Sequence, residues 1–408
     1  MSKIFESMVK DSKKNSDFGG LLGDHNPYDV DTWIDTGCYA LNAVLSDGDI
    51  LKGLPKGNKV MIAGESSTAK SIFTSFMIAK YLNQMENSSV VIYETEGSRT
   101  IANTLIHGFG IDESRILLHM VGTVEKCRTL MVNYLDKIID EKTHYKTVIT
   151  PKGEKKRTKL TKEEIKKKID KDGEYNENII FVIDSLGMLS TEKETADVSS
   201  GSDKKDMTRA QLLRGFGRTI SLKLSQAQSP LVVVNHIYST MDQYNPKQIS
   251  GGDGPKYMAD IVLFLTKSKE KEGKEQVGVK IRVYVNKSRY MIENKSVEIL
   301  INFKRGLYKW SNIVEMAYDF GVFKKDGHSF VMPNGEKVKM KEVVLHPSKY
   351  IDAECLELIR TAIKNDFSFG KIVNEGDDYE SENLEDFEDG EVEIDDETGE
   401  DTTESESE

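Results

Sequence analysis

The residues best suited to chemistry lie between Lys59 and Ser71, KVMIAGESSTAKS. An apolar run (Val60, Met61, Ile62, Ala63) meets Gly64, passes through Glu65, Ser66, Ser67, Thr68 and Ala69, and closes on Lys70 and Ser71. A nucleoside triphosphate needs that order. The glycine lets the backbone leave a strand sharply, so that the N–H groups behind it face phosphate oxygens. The positive end of a helix starting near Lys70 adds a fixed partial charge at the same place. Lys70 neutralises phosphate, and the Ser71 hydroxyl suits Mg²⁺. Ala69 stands where a second glycine is usual, and this smallest substitute fits the loop if its φ is negative.

Three further strand ends carry groups fit for the same reaction. Ile179 to Asp184 is a buried-type strand ending in an acid, and Asp184 beside the phosphate loop would hold the Mg²⁺ shell. An apolar run ending in Asp is a weak signal alone, and the phosphate loop makes it a strong one. YETEG offers Glu94 and Glu96 as bases for a water attacking the γ-phosphate. Residues two apart share one face of a strand, so the pattern alone does not choose between them. PLVVVNH ends in Asn235 and His236, placed to feel a γ-phosphate. Two polar stretches, Thr191 to Asp206 and Ile237 to Gly254, follow strands and read as long functional loops. Amides at Ser250, Gly251 and Gly252 suit phosphates, while Tyr238, Met241 and Tyr244 suit contact with bases.

Holding these strand ends together takes a parallel sheet. VVIYE, RILLHMV, IIFVID and PLVVVN alternate with helical stretches (a helix from Arg99, Val124 to Ile139, Met207 to about Leu224), which predicts right-handed crossovers. ALNAVL precedes the phosphate loop as a helix, and DIVLFLTKS, VKIRVYVNKS and VEILINF read as an antiparallel flank. The pattern lapses between Asp140 and Asn178 into a Lys-rich segment, expected to be a solvated insertion. The predicted class is α/β, a mainly parallel central sheet flanked by helices. An N-terminal helix (Ile4, Phe5, Met8, Val9) and linker fill residues 1–30, the ATPase core 31–303, and a small α+β unit 304–374. That unit has an apolar helix face at Ile313, Met316, Ala317 and Phe320, and a hairpin turning at Pro333-Asn334-Gly335.

Composition narrows the class further. The 408 residues carry a net charge of −12, yet Glu375 to Glu408 holds nineteen acids and no Lys or Arg. Without that −19 the remaining chain carries +7, a basic body with an acidic tail expected to be disordered. A basic body suits a nucleic-acid partner. Cys38, Cys127 and Cys355 form no C-x-x-C, which points to a reducing compartment and away from a metal knuckle. MSKIFESMVKDSKK lacks the apolar centre of a signal peptide and no run reaches transmembrane length, so the expectation is a cytoplasmic protein without a membrane partner.

From about Asp31 to Phe330 the order of motifs resembles the RecA family of homologous-recombination ATPases. Within it, VIDSLGMLSTEKETAD, DMTRA, NH, SGGDGPKYMAD and VNKSR look most like the UvsX recombinases of T4-like bacteriophages. The resemblance implies an ATP- and Mg²⁺-dependent recombinase that forms a helical filament on single-stranded DNA and pairs it with homologous duplex. It places Glu96, rather than Glu94, at the water-activating position, and Asn235 and His236 at the γ-phosphate sensor. Gly251 and Gly252 fall on phosphate-contacting glycines, and Met207 and Arg209 of DMTRA on DNA-contacting positions. Lys287 and Arg289 fall on cations that reach a neighbouring subunit's triphosphate. A single-strand-binding protein and a recombination mediator are the further partners implied. The rival readings are a hexameric helicase on the same core and a non-catalytic DNA-coating protein. The Lys-rich insertion departs from the family pattern.

Overall fold

The computed structural model describes residues 2–15, 32–149, 155–200, 208–239, 247–272 and 274–369. The N-terminal helix α1 (Lys3–Asn15) presents Ile4, Phe5 and Met8 to solvent. Two short strands, β1 (Trp33–Ile34) and β2 (Leu54–Pro55), pair around α2 (Tyr39–Leu45), whose seven residues are all buried. Then come β3 (Lys59–Gly64), α3 (Lys70–Gln84), β4 (Ser88–Glu94), the short α4 (Thr100–Asn103), β5 (Ile116–Met120) and α5 (Val124–Thr143). Thr123 starts α5 by accepting the N–H of Lys126, which satisfies one of the orphan donors of a first turn.

The described part of the Lys-rich segment is an exposed insertion with regular structure of its own. Strands β6 (Tyr145–Ile149) and β7 (Lys155–Lys159) form a hairpin, and α6 (Lys162–Asp172) opens on a capping box between Thr161 and Glu164. The core resumes with β8 (Asn178–Asp184), α7 (Glu192–Ser199), α8 (Arg209–Ala227), β9 (Leu231–Ser239), β10 (Lys247–Ile249) and α9 (Asp253–Met258).

The described parts of the two stretches read as long loops are therefore largely regular. Thr191 and Glu194 make a second capping box, a local signal that starts α7 inside the first of them. In the second, β9 runs on to Ser239 and β10 returns beside it, Ile249 opposite Ile237. Residues 201–207 and 240–246 lie outside the described residues, and with them Met207, Met241 and Tyr244.

Strands β11 (Ile261–Glu272), β12 (Glu275–Ser288), β13 (Ser296–Asn302) and β14 (Gly306–Leu307) complete one sheet in the order β14-β13-β12-β11-β3-β9-β8-β4-β5, with β10 added to β9. From β11 to β5 every pairing is parallel, and the flank beyond β11 is antiparallel. Side chains alternate between faces along each strand. Val60, Ile62, Ile92 and Val182 join α3 in one core, while Met61, Val91, Phe181 and Val233 join α5 and α8 in another. Both faces are covered, which is why these strands read as continuous apolar runs.

Residues beyond β14 form α10 (Ile313–Asp319), the sheet β15 (Lys324–Asp326), β16 (Ser329–Val331) and β17 (Lys337–Lys339), then α11 (Met340–Leu345), α12 (Pro347–Tyr350) and α13 (Ala353–Phe367). Their apolar residues, among them Phe323, Ile359 and Ile363, merge with α2 and β13 in the first core. Arg360 grips the fully buried Asp49 through two bonds of 2.7 and 2.6 Å, tying α13 to the turn after α2. The acidic stretch Glu375 to Glu408 lies outside the described residues, as do residues 16–31.

Candidate triphosphate site

Strands β3, β9, β8 and β4 run in one direction, so Gly64, His236, Asp184 and Glu94 gather at one end of the sheet. Gly64 is required by close approach: a Cβ there would lie 2.5 Å from Thr68 Oγ1 and 3.0 Å from the Leu265 carbonyl of β11. The loop behind it turns through left-handed backbone at Ser67 (φ 60°) and Ala69 (φ 64°). The negative φ expected of Ala69 is not found. The loop keeps the turn a glycine would make, and alanine bears the Cβ–carbonyl crowding itself.

Lys70 starts α3 and is buried, its ammonium donating to the carbonyls of Gly64 (3.0 Å) and Glu65 (2.7 Å). Burial lowers its pKa, and the charges of Asp184 and Glu96 pull the other way. The Ser71 hydroxyl donates to Asp184 Oδ2 at 3.0 Å. Asp184 is only 4% exposed, and its pKa is raised to about 6. Burial is the main cause; the Ser71 bond opposes it, and Glu94 and Glu96 add like charge.

The structure separates the two glutamates. Glu94 ends β4 opposite Asp184 and is buried; its Oε1 accepts the Glu96 N–H at 2.9 Å, and Oε2 has no partner. The N–H of Thr95 donates to the Asp184 carbonyl, which turns the chain so that Glu96 emerges toward β9. There Glu96 Oε1 accepts the Ser185 hydroxyl (2.9 Å) and lies 3.0 Å from His236 Nε2. Burial raises the Glu96 pKa, but the bonds from His236 and Ser185 outweigh it and the net shift is downward. Ser185 escaped the sequence reading; the available signal was a hydroxyl directly after the strand-ending Asp184.

A hydrogen-bonded path leads from this pair to the β9–β10 hairpin. The fully buried Asn235 donates from Nδ2 to the Ser250 carbonyl at 3.0 Å, and Ser250 N–H donates to the His236 carbonyl at 2.9 Å. Gly251 (φ 90°) follows, where a Cβ would press 2.7 Å from Leu213 Cδ1. Gly252 (φ 71°) then leads into α9, and Tyr238 is about half exposed on β9. Arg209 turns inward: its Nε donates to the Leu189 carbonyl at 2.7 Å and its terminal nitrogen to Gly187, tying α8 to the turn after β8.

Lys287 and Arg289 are not brought to this site within one chain. They lie where β12 ends, beside Ile261 and Val262 at the start of β11, hence at the opposite end of the sheet. Lys287 Nζ caps the end of α9, donating to the Lys256 (3.0 Å) and Ala259 (2.7 Å) carbonyls. Arg289 Nε lies 3.3 Å from Asp260, a buried carboxylate that also holds Lys59 Nζ at 2.8 Å. The Arg289 side chain keeps 61% of its surface exposed, so its remaining donors face outward.

A phosphate loop, a Ser–Asp pair and a glutamate at adjacent ends of a doubly covered parallel sheet define a candidate nucleoside-triphosphate site, and the chain is similar to recombination proteins of the RecA family. Among particular relatives, it is 28% identical to the "Recombination and repair protein" of Enterobacteria phage T4 over 285 residues, 70% of this chain and 63% of the T4 protein. It thus spans less than two thirds of that relative. Identity to "Protein RecA" is 23% for Phytoplasma mali (83% of this chain, 88% of the relative) and 25% for Mycoplasmopsis pulmonis (76% and 78%). No family model matches the chain.

Proposed function

We propose that this chain is an ATP-dependent DNA recombinase that assembles as a helical filament on single-stranded DNA and catalyses homologous pairing and strand exchange. The observation that carries the reading is the path from Ser71 and Asp184, through the adjoining Ser185 to Glu96 and His236, and on to Ser250. The candidate nucleotide site and the Ser250–Gly252 turn are thus joined by one set of bonds.

The residues fit Mg²⁺–ATP. Ser71 and Asp184 are hard oxygen donors of the kind Mg²⁺ takes, and the Ser71 hydroxyl and the Asp184 carboxylate lie 3.0 Å apart. When bound, Mg²⁺–ATP supplies a γ-phosphoryl group open to in-line attack by water. Glu96, kept ionised by Ser185 and His236, orients that water and takes its proton. Lys70 exchanges its two loop carbonyls for phosphate oxygens. His236 stands 3.0 Å from the base, so loss of the γ-phosphate reaches Ser250 through one residue.

Arg289 and Lys287, far from the site in their own chain, act on a neighbour's triphosphate, which makes turnover depend on polymerisation. The exposed apolar residues of α1 dock on that neighbour. Residues 31–303 serve as the ATPase core and 304–374 as its appendage. A single-strand-binding protein and a loading mediator complete the set of partners. Among the described residues no helix is long and apolar enough to cross a membrane.

The test is ATP hydrolysis with and without single-stranded DNA, the same samples being imaged by negative stain. Strong stimulation together with long filaments supports the proposal. Closed six-membered rings refute it in favour of a helicase, and filaments without hydrolysis refute it in favour of a coating protein.

A further inference from the structure

The insertion between α5 and β8 is left unused by the activity proposed above. We infer that it is a second DNA contact, a basic surface that grips the phosphate backbone of a duplex at the end of the sheet away from the triphosphate site. The inference rests on the recombinase reading and extends it.

Position comes first. The insertion leaves α5 at His144 and rejoins the sheet at Asn178, the first residue of β8, whereas Asp184 ends that strand at the site. Seven strand residues put about 20 Å between the two ends. The Ser250–Gly252 turn lies at the far end, so the insertion cannot extend that contact. Whatever it holds is a different stretch of polyanion.

Construction comes second. Leu160 N–H donates to the His144 carbonyl at 2.9 Å and Lys146 pairs with Glu164 at 2.6 Å within the module, while Lys168 pairs with Glu141 and ties it to α5. Lys146 and Lys168 are thus paired. Outward-facing Lys162, Lys166, Lys167 and Lys171 are exposed and join no ion pair among the described residues. They stand as two like-charge pairs, each one turn apart, an arrangement that repels on a bare helix and is relieved by a polyanion. Glu163 and Asp170 lie between the two pairs and offset part of the charge.

Chemistry selects a duplex. Among the described residues of the insertion no aromatic side chain is exposed; Tyr145 and Tyr175 are half-buried. Without a stacking platform the surface has no hold on unpaired bases, and cations alone recognise a backbone whose bases are hidden.

The test is a full-length variant carrying Lys162→Gln, Lys166→Gln, Lys167→Gln and Lys171→Gln, its duplex affinity measured across a salt series. The expected result is a salt slope shallower by about 3–4, near 0.9 per lost phosphate contact, with single-stranded-DNA-stimulated ATP turnover unchanged. The matching Lys→Arg variant keeps the charge and is expected to keep the slope. An unchanged slope in the Gln variant, with stimulated turnover intact, overturns this inference and leaves the recombinase reading standing. Absent stimulated turnover in the unsubstituted protein overturns the reading beneath it. Should the slope difference vanish once residues 370–408 are removed, the lysines answer the chain's own acidic end and the duplex assignment is wrong.

Discussion

Asp184 offers a quantitative test, because the site keeps a carboxylate where burial opposes one. Held at about 6 in the folded chain against roughly 3.8 unfolded, the carboxyl costs about 3 kcal/mol of stability once ionised in both states. The raised folded value sets the sign: the native state binds the proton more tightly, so stability is greatest below about pH 3.8. It falls as pH rises toward 6 and stays low above it. In Asp184→Asn the charge is gone while the side-chain oxygen can still accept from Ser71. The new amide needs a partner of its own, which takes back about 1 kcal/mol. Without nucleotide the variant should therefore be about 2 kcal/mol more stable than the parent at pH 7.5, and the gain should be lost near pH 4. Urea unfolding of both proteins at the two pH values measures it. Addition of Mg²⁺ and ATP should reverse the order, since ligand at a hundred times its dissociation constant adds about 2.7 kcal/mol to the parent alone. A variant no more stable than the parent at pH 7.5, or one whose advantage is the same at both pH values, refutes the argument.

Other perturbations follow from the same geometry. Glu96→Gln should lower ATP turnover by about 10²–10⁴-fold while nucleotide binding, read by fluorescence titration, persists. Ser185→Ala removes a donor that holds the Glu96 carboxylate low, so the acid limb of kcat should move to higher pH; an unmoved limb would show that Ser185 does not position the base. Gly251→Ala forces a Cβ to within 2.7 Å of Leu213 at a φ of 90°, and should cost about 1–3 kcal/mol together with DNA stimulation of turnover. Arg360→Met strands the buried Asp49 carboxylate. Its cost in urea should be about 2–3 kcal/mol, below that of a fully enclosed pair because the Arg360 side chain is 30% exposed.

The phosphate loop, the strand-ending Asp184 and the parallel order of the core were legible in the chain because each is written locally. A strand buried on both faces must be continuously apolar, and a phosphate loop needs a small residue, Lys and Ser at set spacing. The antiparallel flank and the 333–335 hairpin were legible for the same reason. Capping boxes at Thr161 and Thr191 are equally local signals, but the polar composition around them leaves no apolar period by which to read α6 and α7 from the chain.

What only the tertiary structure decided depends on partners distant in sequence. Alternation puts Glu94 and Glu96 on one face; it is the Asp184 carbonyl, holding Thr95, that buries the first and delivers the second to Ser185 and His236. Spacing alone sees neither the crowding of Gly64 by Thr68 and β11 nor the left-handed turn at Ala69 that goes with it. Nor does it show that Lys287 and Arg289 stand at the far end of the sheet, since that follows from β12 running against β11. Residue types set by local chemistry could be read from the chain. The distances between them were set by which strands pair, and pairing is decided by apolar surface buried across the whole sheet.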